Sequence, residues 1–227
     1  MNRFISSQII IKWKAVSNLR KPDETKLREE YARQVLLAMF PEKYQDSSLG
    51  DQPDIQNEQK DIGVEVTGTL EQRVRYGVAQ FSTLYNKHIS SVTSKKKEQL
   101  KKHLVRLVTD DEGTIKFIIP EAVWGSGNKT KEAFSNKLNK LNDGNYKTFD
   151  ENNLFLFAED EEEYEVRSLI EHIKATEMNS RKFNLIYLYT YQELYVISTQ
   201  DYSFEVLTVR EDQKEVFLSE SIKIATT

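Results

Sequence analysis

The sequence predicts an α/β protein in which a mixed β-sheet is flanked by helices. Three observations carry this. Segments of helical spacing alternate with short β-rich runs through the middle of the chain, the order that builds a sheet covered by helices. The end is different: FNLIYLYT, ELYVIST and SFEVLTV follow one another with short breaks. Strands dominate there, a pattern of α/β with a mixed sheet and not of a purely doubly wound one. Finally, 227 residues, 38% of them apolar, supply a sizeable core for one domain. The expectation is a single domain over residues 1–227, with an N-terminal arm at 1–20 and a β-rich C-terminal part at 183–227.

The elements follow in order. Residues 5–17 read as a poorly anchored strand or arm. In KPDE, Asp23 caps a helix and Glu24 suits its positive first turn. Leu27, Tyr31, Val35, Ala38 and Met39 recur at helical spacing, giving a helix over 24–39 with one buried stripe. PDIQNEQKDIGVEVTGTL reads as a hairpin: a strand through Asp54, a turn around 57–60 and a strand over 62–67. A helix is expected over 70–89 and a lysine-rich one near 94–103, followed by strands at LVRLV and IKFIIP. After a loop at 124–128, residues 130–142 place Phe134, Leu138 and Leu141 on one helix face. Residues 153–157 are a buried strand, and the acidic run 159–163 opens a further helix.

Composition sets limits. No cysteine is present, which excludes disulfides, thiolate metal sites and cysteine nucleophiles and fits a reducing cytoplasm. No apolar run approaches the roughly 18 residues of a membrane helix, and Lys12 and Lys14 break the only N-terminal one. Neither a membrane protein nor a signal peptide is expected. A net charge of −4 argues against coating nucleic acid by bulk attraction and leaves room for a local basic groove.

The chemistry centres on Pro53-Asp54 and Gly63-Val64-Glu65-Val66-Thr67. Glu65 lies between valines in an apolar strand, where alternation turns it to the opposite face. If the two strands form a hairpin, Asp54 and Glu65 meet at one edge and offer two oxygen ligands to Mg²⁺ or Mn²⁺, with water filling the other positions. Such an ion activates water and offsets charge on an attacked phosphate.

These residues resemble the signature of the PD-(D/E)XK nucleases, the restriction-endonuclease-like superfamily. PDI…IGVEVT is similar to poorly characterised bacterial members reading roughly PDF…IGIEVT. A glutamate-bearing helix precedes the motif, and KLNKLND…NNLFLF is similar to their lysine-containing helix and apolar strand. The resemblance spans residues 24 to about 200 and implies a restriction-endonuclease-like fold, hydrolysis of DNA or RNA phosphodiester bonds, and possible homodimers. Asp54 and Glu65 match the metal-ligand positions. The motif lysine falls on Thr67, a departure that removes a positive charge. Lys137 and Lys140 are the candidates to replace it from the helix over 130–142, with Lys60 in the turn as another. The upstream glutamate is assigned to Glu30, which flanks the Leu27/Tyr31/Val35 stripe while Glu29 points nearly opposite. Gln72 is a weaker candidate. The alternative reading is a catalytically inactive nucleic-acid-binding or protein-interaction module on the same fold, or an assembly role using the closing strands or residues 159–163.

Other constellations carry less. GSGNKT looks like the end of a phosphate-binding loop, but Asn128 separates Gly127 from Lys129 and Ala122 stands where the first glycine would fall. His88, His103 and His172 lack metal-ligand spacing. Lys95, Lys96, Lys97, Lys101 and Lys102 form a solvated face or a phosphate-contact patch. Tyr187, Tyr189, Tyr191 and Tyr195 are read as packing aromatics ahead of a base-stacking platform.

Overall fold

A computed structural model of the chain describes residues 23–68, 80–103, 105–120, 127–143, 147, 149–158, 163–176, 181–190 and 192–225. The N-terminal arm, Gln72 and Tyr191 lie outside these residues. Where the sequence predicts one domain over 1–227, the chain divides into two compact units, one of residues 18–69 with 127–227 and one of residues 1–17 with 70–126.

The larger unit is built on a mixed seven-stranded sheet, so the α/β expectation holds. Helix α1 (Glu24–Met39) starts at Asp23, whose carboxylate accepts hydrogen bonds from the backbone N–H groups of Thr25 and Lys26. A short α2 (Pro41–Tyr44) leads to β1 (Ser48–Leu49), β2 (Ile55–Asn57) and β3 (Ile62–Gly68). After the smaller unit the chain returns as a helix (Gly127–Asn142), β6 (Glu151–Phe157), a helix (Glu163–Ala175), β7 (Leu185–Tyr189), β8 (Glu193–Ser198), β9 (Phe204–Thr208) and a last helix (Glu211–Ala225). The strands lie in the order β1-β2-β3-β6-β7-β8-β9. β6 runs parallel to β3 and to β7, and every other pair is antiparallel. The parallel pairs are those bridged by helices, as crossover geometry requires.

Each sheet face has its own core. On one face Leu154, Leu156, Ile186, Leu188, Tyr195 and Ile197 pack with Phe134, Leu138 and Leu141 and with Val166, Leu169 and Ile173 of the two middle helices. The other face is aromatic: Tyr31 of α1 contacts Phe157, Tyr189 and Phe217, while Tyr44 contacts Tyr187. The hydroxyls of Tyr44 and Tyr187 lie 2.9 Å apart and those of Tyr31 and Tyr189 3.1 Å apart. Burying these rings satisfies their polar ends inside the core, so Tyr187, Tyr189 and Tyr195 pack and do not form an exposed stacking platform. The last helix was not read from the sequence. Glu211 and Asp212 occupy its first turn, and Phe217 and Leu218 are buried, so the 183–227 part ends in a helix and is β-rich only to Thr208.

The smaller unit contains a one-turn α3 (Phe81–Leu84), a 3₁₀ turn (Ile89–Ser91), α4 (Ser94–Lys102), and an antiparallel pair, β4 (Val105–Thr109) and β5 (Ile115–Pro120). The helix after it, Gly127–Asn142, is α5; Glu163–Ala175 is α6 and Glu211–Ala225 is α7. Leu84, Val92, Leu100, Val105 and Ile115 form a small core. This private core is the physical reason the segment separates as a unit. The expected helix over 70–89 is described only from residue 80, where it is one turn long. No helix among the described residues is long and apolar enough to cross a membrane.

Candidate active site

Register builds the site. Ile55 pairs with Val64, so one step outward places Asp54, just before β2, across from Glu65. Beyond that point no strand among the described residues pairs with β3 on this edge. Asp54 supplies the missing acceptor: its Oδ2 takes a hydrogen bond from the Val66 backbone N–H at 2.7 Å. The carboxylate is thereby fixed by the backbone of the strand that carries Glu65. Gly63 makes the approach possible. A Cβ there would lie 2.6 Å from Pro53 Cγ and 2.9 Å from Phe149 Cδ2, closer than carbon atoms pack.

Glu65 pairs with Leu154 and Thr67 with Leu156, so both face the core lined by α5. Glu65 is only 4% exposed. A buried lone carboxylate is costly, and Lys137 of α5 answers it with an ion pair from its Nζ to Glu65 Oε1. The other oxygen, Oε2, is buried and accepts no hydrogen bond from the described residues. Lys137 is itself largely covered, its side chain 15% exposed.

The carboxylates interact. Burial pushes the Asp54 carboxyl up from its ordinary value, and the Glu65 charge pushes it further, while the Val66 N–H, Lys137 and Arg28 pull it down. Glu29 is pushed up to about 7, first by burial and then by the Asp54 charge, with Asp23 and Glu65 adding smaller pushes and Arg28 opposing. A third carboxyl therefore feels the pair, and it belongs to Glu29.

Glu30, the residue assigned from the helical wheel, has its partners on α1. Glu30 is buried and turned to its own helix: Arg33 Nε and Nη2 donate to its two oxygens at 2.8 and 2.7 Å, and Gln34 Nε2 donates at 2.7 Å. The observed stripe differs from the expected one. Ala38 is exposed, while Ala32 and Leu36 are as fully buried as Tyr31 and Val35. The buried surface of α1 is thus wider and turned toward Ala32 and Leu36, and Glu29 stands three and seven residues before them, on the same side.

The structure brings Asp54, Glu65 and Lys137 together. Thr67 stands half-buried two residues past Glu65 on the same face. Lys140 is exposed on α5, and Lys60 is exposed in the turn at 58–61. Sequence reading missed Glu29 and Arg28; the signal for both was the paired Ala32 and Leu36. Among the described residues no three His, Asp or Glu side chains gather into a cage for an ion; a cation held by Asp54 and Glu65 would complete its shell with water. Two hard oxygen donors, one with an unpartnered buried oxygen, suit Mg²⁺ or Mn²⁺. In comparisons with family models, curated proteins and solved structures, nothing matches this chain.

Proposed function

We propose that the chain is a metal-dependent nuclease of PD-(D/E)XK type, hydrolysing phosphodiester bonds in DNA, with RNA as the second candidate. The observation that carries this reading is the Lys137–Glu65 contact beside Asp54. It puts a positive charge beside Glu65, the charge that Thr67 fails to supply. The parts expected from the resemblance are also present in order: a glutamate-bearing helix, a hairpin with two carboxylates, a lysine-bearing helix and an apolar strand. The restriction-endonuclease-like fold belongs to the same proposal, as does a homodimer cutting both strands.

Asp54 and Glu65 would hold the ion. When bound, Mg²⁺ or Mn²⁺ supplies positive charge against the attacked phosphate and lowers the pKa of the attacking water. The chain's own groups do the rest. Val66 N–H fixes Asp54, Lys137 holds Glu65 and offers an ammonium to water or to phosphate oxygen, and Glu29 adds a carboxyl able to exchange a proton near pH 7. Preorganised charge of this kind contributes on the order of 10²–10³ in rate per donor.

A second reading has one observation in its favour. Lys137 already neutralises Glu65, so the pair is satisfied as a structural contact, as it would be in a catalytically silent binding or interaction module. Incubation with single- and double-stranded DNA and RNA in Mg²⁺ and Mn²⁺ separates the two. The nuclease reading expects cleavage by the wild type and a loss of roughly 10³ in rate or more with Glu65→Ala. Absence of cleavage, or cleavage that survives the substitution, defeats it.

A further inference from the structure

Charge is divided unevenly along the chain. Residues 70–126 hold ten Lys and Arg against six Asp and Glu, leaving 22 against 30 elsewhere. The segment is therefore +4 inside a protein of net charge −4. Within it the polarity is sharper: residues 87–106 carry seven basic side chains and one acid, Glu98, while Asp110, Asp111 and Glu112 sit in the turn between β4 and β5.

The basic side chains gather on α4. Leu100 anchors this helix in the small core, and Lys96 turns to Gln80 Oε1 at 2.6 Å. Lys95, Lys97, Lys101 and Lys102 are exposed, and among the described residues none makes an ion pair. In the larger unit the exposed Lys147, Arg167, Lys174, Arg210 and Lys223 are each paired with an acid, and the exposed Lys26, Lys60, Lys140 and Lys182, which make no ion pair among the described residues, are scattered over α1, the turn at 58–61, α5 and the segment before β7. Placement deepens the contrast. α6 and α7 begin with acids, as the helix dipole favours. The first turn of α4, like that of α5, has none, and it holds Lys95, Lys96 and Lys97 in succession, so ammoniums add to the positive end of this helix.

We propose that this α4 surface, and not the acidic unit bearing the carboxylates, grips the phosphodiester backbone of nucleic acid, without regard to base sequence. The proposal takes nucleic acid, among polyanions, from the nuclease reading; the location of the grip rests on charge placement alone. Four unpaired lysines on one helix match a repeating phosphate chain, where each neutralised phosphate releases a counterion. Lysines on phosphate position a duplex and carry no base readout.

The test is binding of fluorescent double-stranded DNA, single-stranded DNA and RNA by the full chain, titrated against salt. Lys95→Glu, Lys97→Glu, Lys101→Glu and Lys102→Glu combined should weaken binding roughly a hundredfold at low salt and flatten the log–log salt slope by about three to four. The charge-matched set Lys26→Glu, Lys147→Glu, Lys174→Glu and Lys223→Glu in the larger unit should leave binding near the wild-type value. The corresponding four Lys→Gln substitutions guard against misfolding and should fall between wild type and reversal, with an unchanged circular dichroism spectrum. Equal losses from both charge-reversed sets overturn the proposal, because net charge alone then explains them. So does tighter binding to vesicles containing phosphatidylserine than to any nucleic acid. Binding without cleavage defeats the nuclease reading and leaves this one standing; cleavage and binding indifferent to α4 do the reverse.

Discussion

In the unit that carries Asp54 and Glu65, several exposed cations sit against acids, Arg167 on Glu163, Lys174 on Glu171, Arg210 on Asp212 and Lys223 on Glu220, and those without an ion pair among the described residues, Lys26, Lys60, Lys140 and Lys182, lie on separate elements. In the other unit, four exposed lysines without ion pairs among the described residues are concentrated on the single helix α4. The cores differ in the same direction. The larger unit has an apolar layer on one face and an aromatic layer on the other, whereas the described residues of the smaller one include a single apolar cluster around Leu84, Val92, Leu100, Val105 and Ile115. Exposed ion pairs add little stability, about 0–1 kcal/mol each, so pairing in the large unit is chiefly charge compensation. The lesson is a division of labour. Packing holds a buried charged site in one unit, and exposed positive charge is concentrated on one helix in the other.

The largest effects should come from the buried pair. Lys137→Met is expected to lose on the order of 10³ in cleavage rate, and it leaves Glu65 buried without a partner, which costs about 3–5 kcal/mol of stability. The two losses separate in the double variant Lys137→Met with Glu65→Gln: urea unfolding should recover much of the stability while cleavage stays absent. Recovery of cleavage in that variant would break the catalytic side of the comparison. In the smaller unit Leu100→Ala should cost about 2–5 kcal/mol locally and loosen α4. Hydrogen exchange should then rise over residues 80–120 with little change in β6 and β7. Uniform loss of protection in both units would contradict two separate cores.

A smaller effect is expected at Gly63. Gly63→Ala pushes a methyl into Pro53 and Phe149, and overpacking of this kind costs about 1–3 kcal/mol. The displaced segment is the one that holds Asp54, so metal-dependent stabilisation should weaken along with the melting temperature. Loss of stability with unchanged response to Mg²⁺ would show that Gly63 serves packing alone.

The sequence was most legible where local chemistry decides. The Asp23 cap, the alternation of Val64, Glu65 and Val66, and the Phe134/Leu138/Leu141 stripe led to the right elements, and the hairpin put Asp54 and Glu65 into one register. Legibility failed where long-range packing decides. The stripe on α1 looked like Leu27, Tyr31, Val35 and Ala38 because alanine does not announce burial, yet Ala32 is fully buried and Ala38 is exposed. With that rotation Glu29 is the α1 carboxyl pushed up by the Asp54 and Glu65 charges. α7 was missed because β-formers precede it and its apolar residues cover the aromatic face from the far end of the chain. The separation into two units depended on a core contributed by Leu84, Leu100 and Ile115, which no local pattern joins.

The finest probe of the comparison is pH. In the folded protein Glu29 is pushed up to about 7 from its ordinary 4.5. Between these values the folded state binds more protons than the unfolded chain, so stability falls as pH rises through this window and levels off above about 7. Asp54 is raised as well, which gives the same sign. Glu29 is only partly buried, so solvent screening limits its share to about 1 kcal/mol or less. Glu29→Gln removes that share: thermal melting should show the variant gaining on the wild type as pH rises from 4.5 to 7. Mg²⁺, by offsetting the negative charge of Asp54 and Glu65, should shrink the same slope in the wild type. No equivalent slope is expected from α4, where every unpaired group is a lysine that stays charged over this range. A melting profile that is flat between pH 4.5 and 7 without metal would place Glu29 away from the pair and return the site to two carboxylates and a lysine.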